Sequence, residues 1–576
     1  MAYFKRDRFA GIAPGVSPRL LGEQFGQVAE NIDFESGRLV STTEDSDTYT
    51  LQATNRNSIY FYRDTYWLEW PEDHVSVVPG PIPGDTTDRL YFTGQGTLGD
   101  GYPRVGTLST LVSGTSGYPV NSYRLGVPAP TNAPTAIKSG TADPAATPND
   151  VSYVYTFVTA NGEEGPPSAP TGVIELTDAE SVALTMPTSD QPSGNYNFSA
   201  GALKRIYRSN TGSTNTQFQF VDQVAYTATT YTDTTDAANL GEILPSADWI
   251  GPPDDDTALY PDGPLQGLIP LAQGTFAGFT GKRFCLSEPF LPYAWPISYR
   301  ITTEEDIVAI ASTANGVAAL TDGQPYFITG TEPSAMTSVR IDLAQACVNK
   351  HSVVDMGDYV LYAGPEGLCA VQSASGQVAT KGLVSVKQWN ADFYPTAIRA
   401  FRHEGTYVAF WTSGNTHGGW VYDPRGDENS LSTLSISAEV RGGYMNPKDG
   451  ELYIIVGNKI KKYRGSATKR TLKFKSKKFV TPAPVSMSWV SIHASEYPAT
   501  VKVWADGTMV AHYTLTYANN VYTQATTVPN GISDATLREP LMRMPAVVAR
   551  EWEVQVEGTD IDDFCLAQSI DEVRGT

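Results

Sequence analysis

Cysteine is scarce in this sequence of 576 residues. The four present, Cys285, Cys347, Cys369 and Cys565, are widely spaced, and no CxxC occurs. That excludes a disulfide framework and a thiolate zinc site, and it suits a reducing compartment. Long apolar runs are also missing. No stretch reaches the roughly 18 apolar residues of a membrane span, and the opening MAYFKRDRF has basic residues with no apolar segment behind them. The expectation is a chain made and used without Sec export or membrane insertion. Positive charge is in deficit as well, with 41 Lys+Arg against 62 Asp+Glu and a formal net charge of −21. A tight grip on nucleic acid needs a basic surface. A surface that nucleic acid slides past without sticking does not.

Catalytic signatures are equally thin. The six histidines (His74, His351, His403, His417, His493, His512) form no HxH or HExxH, and there is no GxSxG elbow or Walker lysine. No metal, cofactor or enzymatic activity is expected. A carboxylate pair such as Glu304, Glu305 or Asp306 in TTEEDI could serve a glycosidase cleft, but SxDxGxTW boxes are absent, and structural acids are the better reading. Arg425-Gly426-Asp427 reads as a polar turn rather than an adhesion motif. Asp233 and Asp236 in TYTDTTDA match no calcium loop. Glu163 and Glu164 in NGEEGPPS, after the alternating Tyr153, Tyr155 and Phe157, read as the wet tip of a loop between strands, with Gly162 and Gly165 allowing the bend.

What the sequence does have is turns and aromatics: 51 Gly, 39 Pro, 31 Tyr and 21 Phe. Apolar alternation in YVYTFVT, YVLYAG and TYVAFW, with no sustained helical stripe, predicts an all-β protein. Residues 1–56 form an extended arm that docks on its own chain or a neighbour, with one short helix expected over Gly22–Asn31. The stretch 127–250, bounded by VPAPTNAPTA and ILPSADWIGPPDDD, predicts an inserted β-sandwich. Segments Gln273–Pro289, Asn315–Thr331, Gly357–Ser373, Glu404–Pro424 and Asp449–Gly465 repeat a strand–turn–strand pattern about 42–47 residues apart. That period is a β-propeller signature. Asp64–Gly80 adds an earlier copy, giving about six blades, with a first blade over 57–126, the others over 251–465, and a second sandwich over 466–576.

The one charge anomaly is Lys461–Phe479, KKYRGSATKRTLKFKSKKF, with nine basic residues and no acid. Alternation in TLKFKSKKF predicts a strand with basic residues on one face. Three readings stand side by side: a solvated face, a salt-bridging surface for an acidic neighbouring subunit, and a DNA contact.

Two sets of segments resemble known families. NGEEGPPS, KRIYRS and YTDT resemble a fibronectin type III module, although the strand before NGEEGPPS precedes KRIYRS, a departure from the usual order. The blocks FAGIAPGVSPRLL, QVAENIDFESGRL, LGEILPSADW, LSEPFLPYAWP, QACVNKHSVVDMGDYVLYAGPEGL and AREWEVQVEGT together resemble the tail nozzle or tail tube protein of short-tailed (podovirus-type) bacteriophages. The resemblance implies a structural virion protein, made in the host bacterial cytoplasm and resident in the phage tail. It implies a homohexameric ring below the head-to-tail adaptor, contacts with adaptor and tail-fibre proteins, and transient passage of genomic duplex DNA without tight binding. Candidate subunit-interface residues are Phe9, Ile12, Leu20 and Leu21 in the arm and Lys461, Lys462, Arg464, Lys469, Arg470, Lys473, Lys475, Lys477 and Lys478 in the basic run. The competing expectation is a propeller that binds or cleaves glycans.

Overall fold

The computed structural model describes residues 3–95, 101–114, 117–187, 194–211, 216–373, 375–425, 430–527 and 535–574. Short strands dominate, because β-branched and aromatic residues alternate or cluster in runs of four to eight bounded by Gly, Pro and Asp turns. They build a β-propeller with an inserted β-sandwich and a C-terminal β domain.

Among the described residues, five four-stranded antiparallel sheets, a four-strand section of a larger sheet and one hairpin surround a common axis. The hairpin, Ser58–Tyr62 with Tyr66–Trp70, is blade 1. Blade 2 runs from Ser76–Pro79 to Tyr123–Arg124, and blade 3 from Gln266–Pro270 to Ile301–Thr302. Blade 4 spans Ile307–Thr313 to Thr337–Arg340, blade 5 Val354–Asp355 to Ser375–Val378, and blade 6 Ile398–His403 to Ser430–Leu434. Blade 7 takes Val440–Met445, Leu452–Val456 and Lys459–Lys462, and its fourth strand is Ser46–Thr50 from the arm. That pairing closes the ring, since blade 1 follows directly in the chain and packs on blade 7. Two radial units therefore precede the insertion where the repeat suggested one, and Asp64–Gly80 straddles both. Blade 2 escaped the repeat because turn-rich PGPIPGDTTD separates its first two strands, so no tight hairpin marks it.

The arm is a structural member of three units. Gly26–Glu30, expected as a helix, is a strand between the edge of blade 6 and Leu472–Ser476. It joins the propeller to the C-terminal domain in one continuous sheet. Tyr3–Arg6, Ile32–Asp33 and Leu39–Ser41 extend the other sheet of that C-terminal sandwich. Gly11, at φ 47°, lets the arm press on blade 6, where a Cβ would sit 2.4 Å from the Leu431 carbonyl oxygen.

The inserted sandwich pairs Thr135–Gly140, Glu180–Thr185 and Thr230–Asp233 in one sheet and Tyr153–Val158, Leu203–Thr211 and Thr216–Ala225 in the other. It is not a loosely tethered module. Its Tyr153, Tyr155, Phe157 and Ile206 share one core with Tyr91 of blade 2 and with Phe276, Tyr293 and Trp295 of the blade 3 region.

Candidate functional site

The basic run lies where the arm, blade 7 and the C-terminal sandwich meet. Within Leu472–Ser476 the side chains alternate as expected: Leu472 and Phe474 face the core, while Lys473 and Lys475 face outward. All nine basic residues find carboxylates of their own chain. Lys461 meets Asp47, Lys462 Glu451, Arg464 Asp33, Arg470 Asp45, Lys473 Glu30 and Lys477 Glu23, at 2.8–3.5 Å. Lys469 bridges Glu496 (2.6 Å) and Asp560 (2.8 Å). Lys475 holds Glu553 at 2.6 Å, and Lys478 reaches both Glu551 (3.1 Å) and Glu553 (3.3 Å).

Singly, half-exposed pairs of this kind contribute about 0–1 kcal/mol. As a network they fix the register of the arm, because most partners are arm or C-terminal carboxylates. Burial works against ionising Glu553, but hydrogen bonds from Lys475, Gln27 and Lys478 outweigh it and hold its carboxyl below the usual range. The acidic surface that the basic run meets is thus in the same chain. Phe9, Ile12 and Leu21 are likewise buried in their own chain, whereas Leu20 is 78% exposed.

The Glu163–Glu164 pair is buried, each residue 3% exposed, so the wet-tip expectation fails. The turn itself forms as read, with Gly162 at φ 80°. Gly165 serves close packing instead, since a Cβ there would meet Val127 at 2.7 Å. Glu164 accepts hydrogen bonds from Tyr207 Oη (2.7 Å), Thr156 Oγ1 (2.7 Å) and Arg205 Nη1 (2.9 Å). Glu163 has a longer contact, 3.4 Å from Arg89 Nη1 of blade 2, and it helps seat the sandwich on the propeller.

Burial raises the Glu163 carboxyl above its ordinary value, the Arg89 charge offsetting this only in part. A raised acid withholds stability once ionised, so stability falls as pH rises past about 4.5 and levels off above the folded-state value. Glu163→Gln is expected to cost under about 1 kcal/mol and to flatten that pH dependence. Glu164→Gln is expected to cost about 2–3 kcal/mol, because a charged acceptor serving two buried hydroxyls is lost. Urea titration of both variants at pH 4 and 7 checks the contrast.

At the propeller axis lies a cavity of about 440 Å³, lined by segments of all seven units. One end is polar. Asp73, between blades 1 and 2, has His74 Nδ1 at 2.5 Å and Lys350 Nζ at 3.9 Å from Oδ1. His351 Nε2 stands 3.2 Å and Arg399 Nη2 3.5 Å from Oδ2. Burial opposes ionisation of Asp73, but the His74 hydrogen bond and the His351 and Lys350 charges carry its carboxyl well below the usual range. No sequence motif marked this cluster, whose members lie up to 326 residues apart.

The remaining candidates have local roles. Glu304 pairs with Arg340 (2.7 Å), Glu305 accepts from Tyr326 Oη (3.0 Å), and the Asp306 amide donates to Asp322. Asp233 is taken up by Arg208 and Tyr153. Asp236 accepts from the Asn239 amide at 3.3 Å. Arg425 pairs with Asp423 and Glu35, while Gly426 and Asp427 lie outside the described residues. Among the described residues no group of three or more His, Cys, Asp and Glu could hold a metal ion. No helix there is long and apolar enough to cross a membrane.

No family model and no curated protein matches the chain. Solved structures are similar only at low levels. The extracellular domain of a hybrid two-component system from B. thetaiotaomicron aligns over 86% of this chain, at 8% identity and TM-score 0.20. The chain spans 47% of that protein's length. YCF48 from Cyanidioschyzon merolae aligns over 53% of this chain and 95% of its own, at 11% identity and TM-score 0.25. A Lactobacillus plantarum protein aligns over 57% and 92%, at 10% identity and TM-score 0.25. Likeness at this level carries no argument about function.

Proposed function

We propose that this chain is the subunit of a structural virion ring: the nozzle or tail tube of a short-tailed phage, with six copies around a channel for genome exit beneath the adaptor. The observation that carries the reading is the charge balance. The chain has a net charge of −21, and its one dense basic segment is neutralised by its own carboxylates. A wall built of such subunits repels phosphate and lets duplex DNA slide.

The conduit would lie between copies rather than through a propeller. A cavity of about 440 Å³ with the Asp73 cluster in its lining is of small-molecule size. A rigid subunit suits this role, since shared cores tie the arm and the inserted sandwich to the propeller. Exposed apolar residues such as Leu20 and Val548 offer contacts for neighbouring copies, adaptor or fibres; heterologous contacts of this kind close a cyclic ring.

Light scattering on the purified protein is expected to give six protomer masses, or six plus the adaptor's mass once the adaptor is added. Gel-shift with duplex DNA at about 0.15 M salt is expected to show no complex. A monomer under both conditions that hydrolyses glycans would overturn the reading in favour of the glycan-active propeller.

A further inference from the structure

The axial cavity holds two cations that do not close on a carboxylate. Lys350 and Arg399 both turn to Asp73, yet at 3.9 and 3.5 Å, longer than a closed pair at about 2.7–2.9 Å. Arg399 also meets His351 Nδ1 at 3.4 Å. Their side chains keep 37% and 24% exposure, so solvent reaches them. Asp355, the other acid of the lining, turns instead to the Gly357 amide at 2.7 Å and to Ser312 Oγ at 3.4 Å. Lys350 and Arg399 thus stand beside Asp73 without closing on it, and Asp355 takes its hydrogen bonds from other donors.

Away from the cluster the wall mixes apolar Ile310, Phe279 and Phe401 with Ser58, Gln266 and Ser312, and glycines let its segments pack closely. A Cβ on Gly267 would sit 2.6 Å from the Phe279 ring, and one on Gly442 1.9 Å from the Asn57 carbonyl oxygen. The volume falls in the small-ligand range of about 300–1,000 Å³.

We infer that the propeller axis is a binding site for a small organic oxyanion, a carboxylate or phosphate on a body of sugar size. Arg399 and Lys350 hold the oxyanion, and the mixed wall of Phe279, Ile310, Ser58 and Gln266 receives the body. His351 couples the site to pH. Burial and the Arg399 charge, with a smaller contribution from Lys350, outweigh Asp73 and push its imidazole down to about 4. An incoming anion offsets those cations and lifts it, so binding takes up a proton and tightens as pH falls from 7 towards 5.

Calorimetry on the full chain tests this with glucose 6-phosphate, glucuronate, inorganic phosphate and neutral glucose. The expected result is saturable binding of one of the two sugar anions, tighter than inorganic phosphate and with no heat from glucose. Arg399→Gln is expected to weaken it by about tenfold or more. Lys350→Met, at a more exposed position, is expected to act in the same direction and serves if the first variant fails to fold. No binding of either sugar anion at millimolar concentration would overturn the assignment. So would equal binding of glucose or of inorganic phosphate, or affinity unchanged in both variants.

Discussion

Replacing Asp233 with alanine is expected to destabilise the inserted sandwich by about 3–5 kcal/mol. The carboxylate and its partner Arg208 have side-chain exposures of 1% and 3%, with Nη1 and Oδ2 2.7 Å apart. Tyr153 Oη donates to the same oxygen at 2.8 Å, and the Thr235 amide donates to Oδ1 at 2.9 Å. Removing the acid leaves a guanidinium stranded in the sandwich, which costs far more than the pair itself contributes. Asp233→Asn keeps the shape and part of the hydrogen bonding, so it should fall between wild type and alanine. Calorimetric melting separates the outcomes: the melting temperature drops sharply in Asp233→Ala, and an unchanged melt would contradict the buried-pair description.

Phe9→Ala should cost a comparable amount, about 3–5 kcal/mol, but at the other end of the molecule. Phe9 is 4% exposed and packs edge-on to Phe474 at 5.0 Å and obliquely on Phe564 at 6.1 Å. It thus sits between the two sheets that the arm's strands extend. Truncating it opens a cavity in the core shared by arm, blades 5 and 6, and C-terminal sandwich. Limited proteolysis should then cut within the first 45 residues while the propeller stays intact. Phe9→Leu, which refills most of the volume, should be nearly resistant. Equal cleavage of wild type and Phe9→Ala would show that the arm is not held as described.

What the sequence revealed and what it hid divide by range. Local patterns were legible. The alternation of Leu472, Lys473, Phe474 and Lys475 matched a one-face-buried strand. The propeller class showed through its repeat because blades 3 to 7 each carry a tight central hairpin.

Partners distant in sequence were invisible. Gly22–Asn31 has a passable helical pattern, but Gly26–Glu30 is a strand because two strands, more than 400 residues away, offer it hydrogen bonds on both sides. Glu163 and Glu164 looked solvated because Arg89, Arg205 and Tyr207, which make their burial tolerable, lie elsewhere in the chain. The basic run left a solvated face, a neighbouring subunit and DNA open, because its own acids are scattered singly through the arm and C-terminal strands. The axial cluster had no signal at all, since Asp73, His351 and Arg399 meet only when the ring closes.

The ring is the central claim, and electron cryomicroscopy of the purified assembly or of intact tails tests it most directly. The account predicts a six-fold ring with an open axial channel wide enough for duplex DNA, its wall lined mainly by carboxylates and the propellers placed around it. A particle without six-fold symmetry, or a ring whose channel is closed or lined by lysine and arginine, would contradict it.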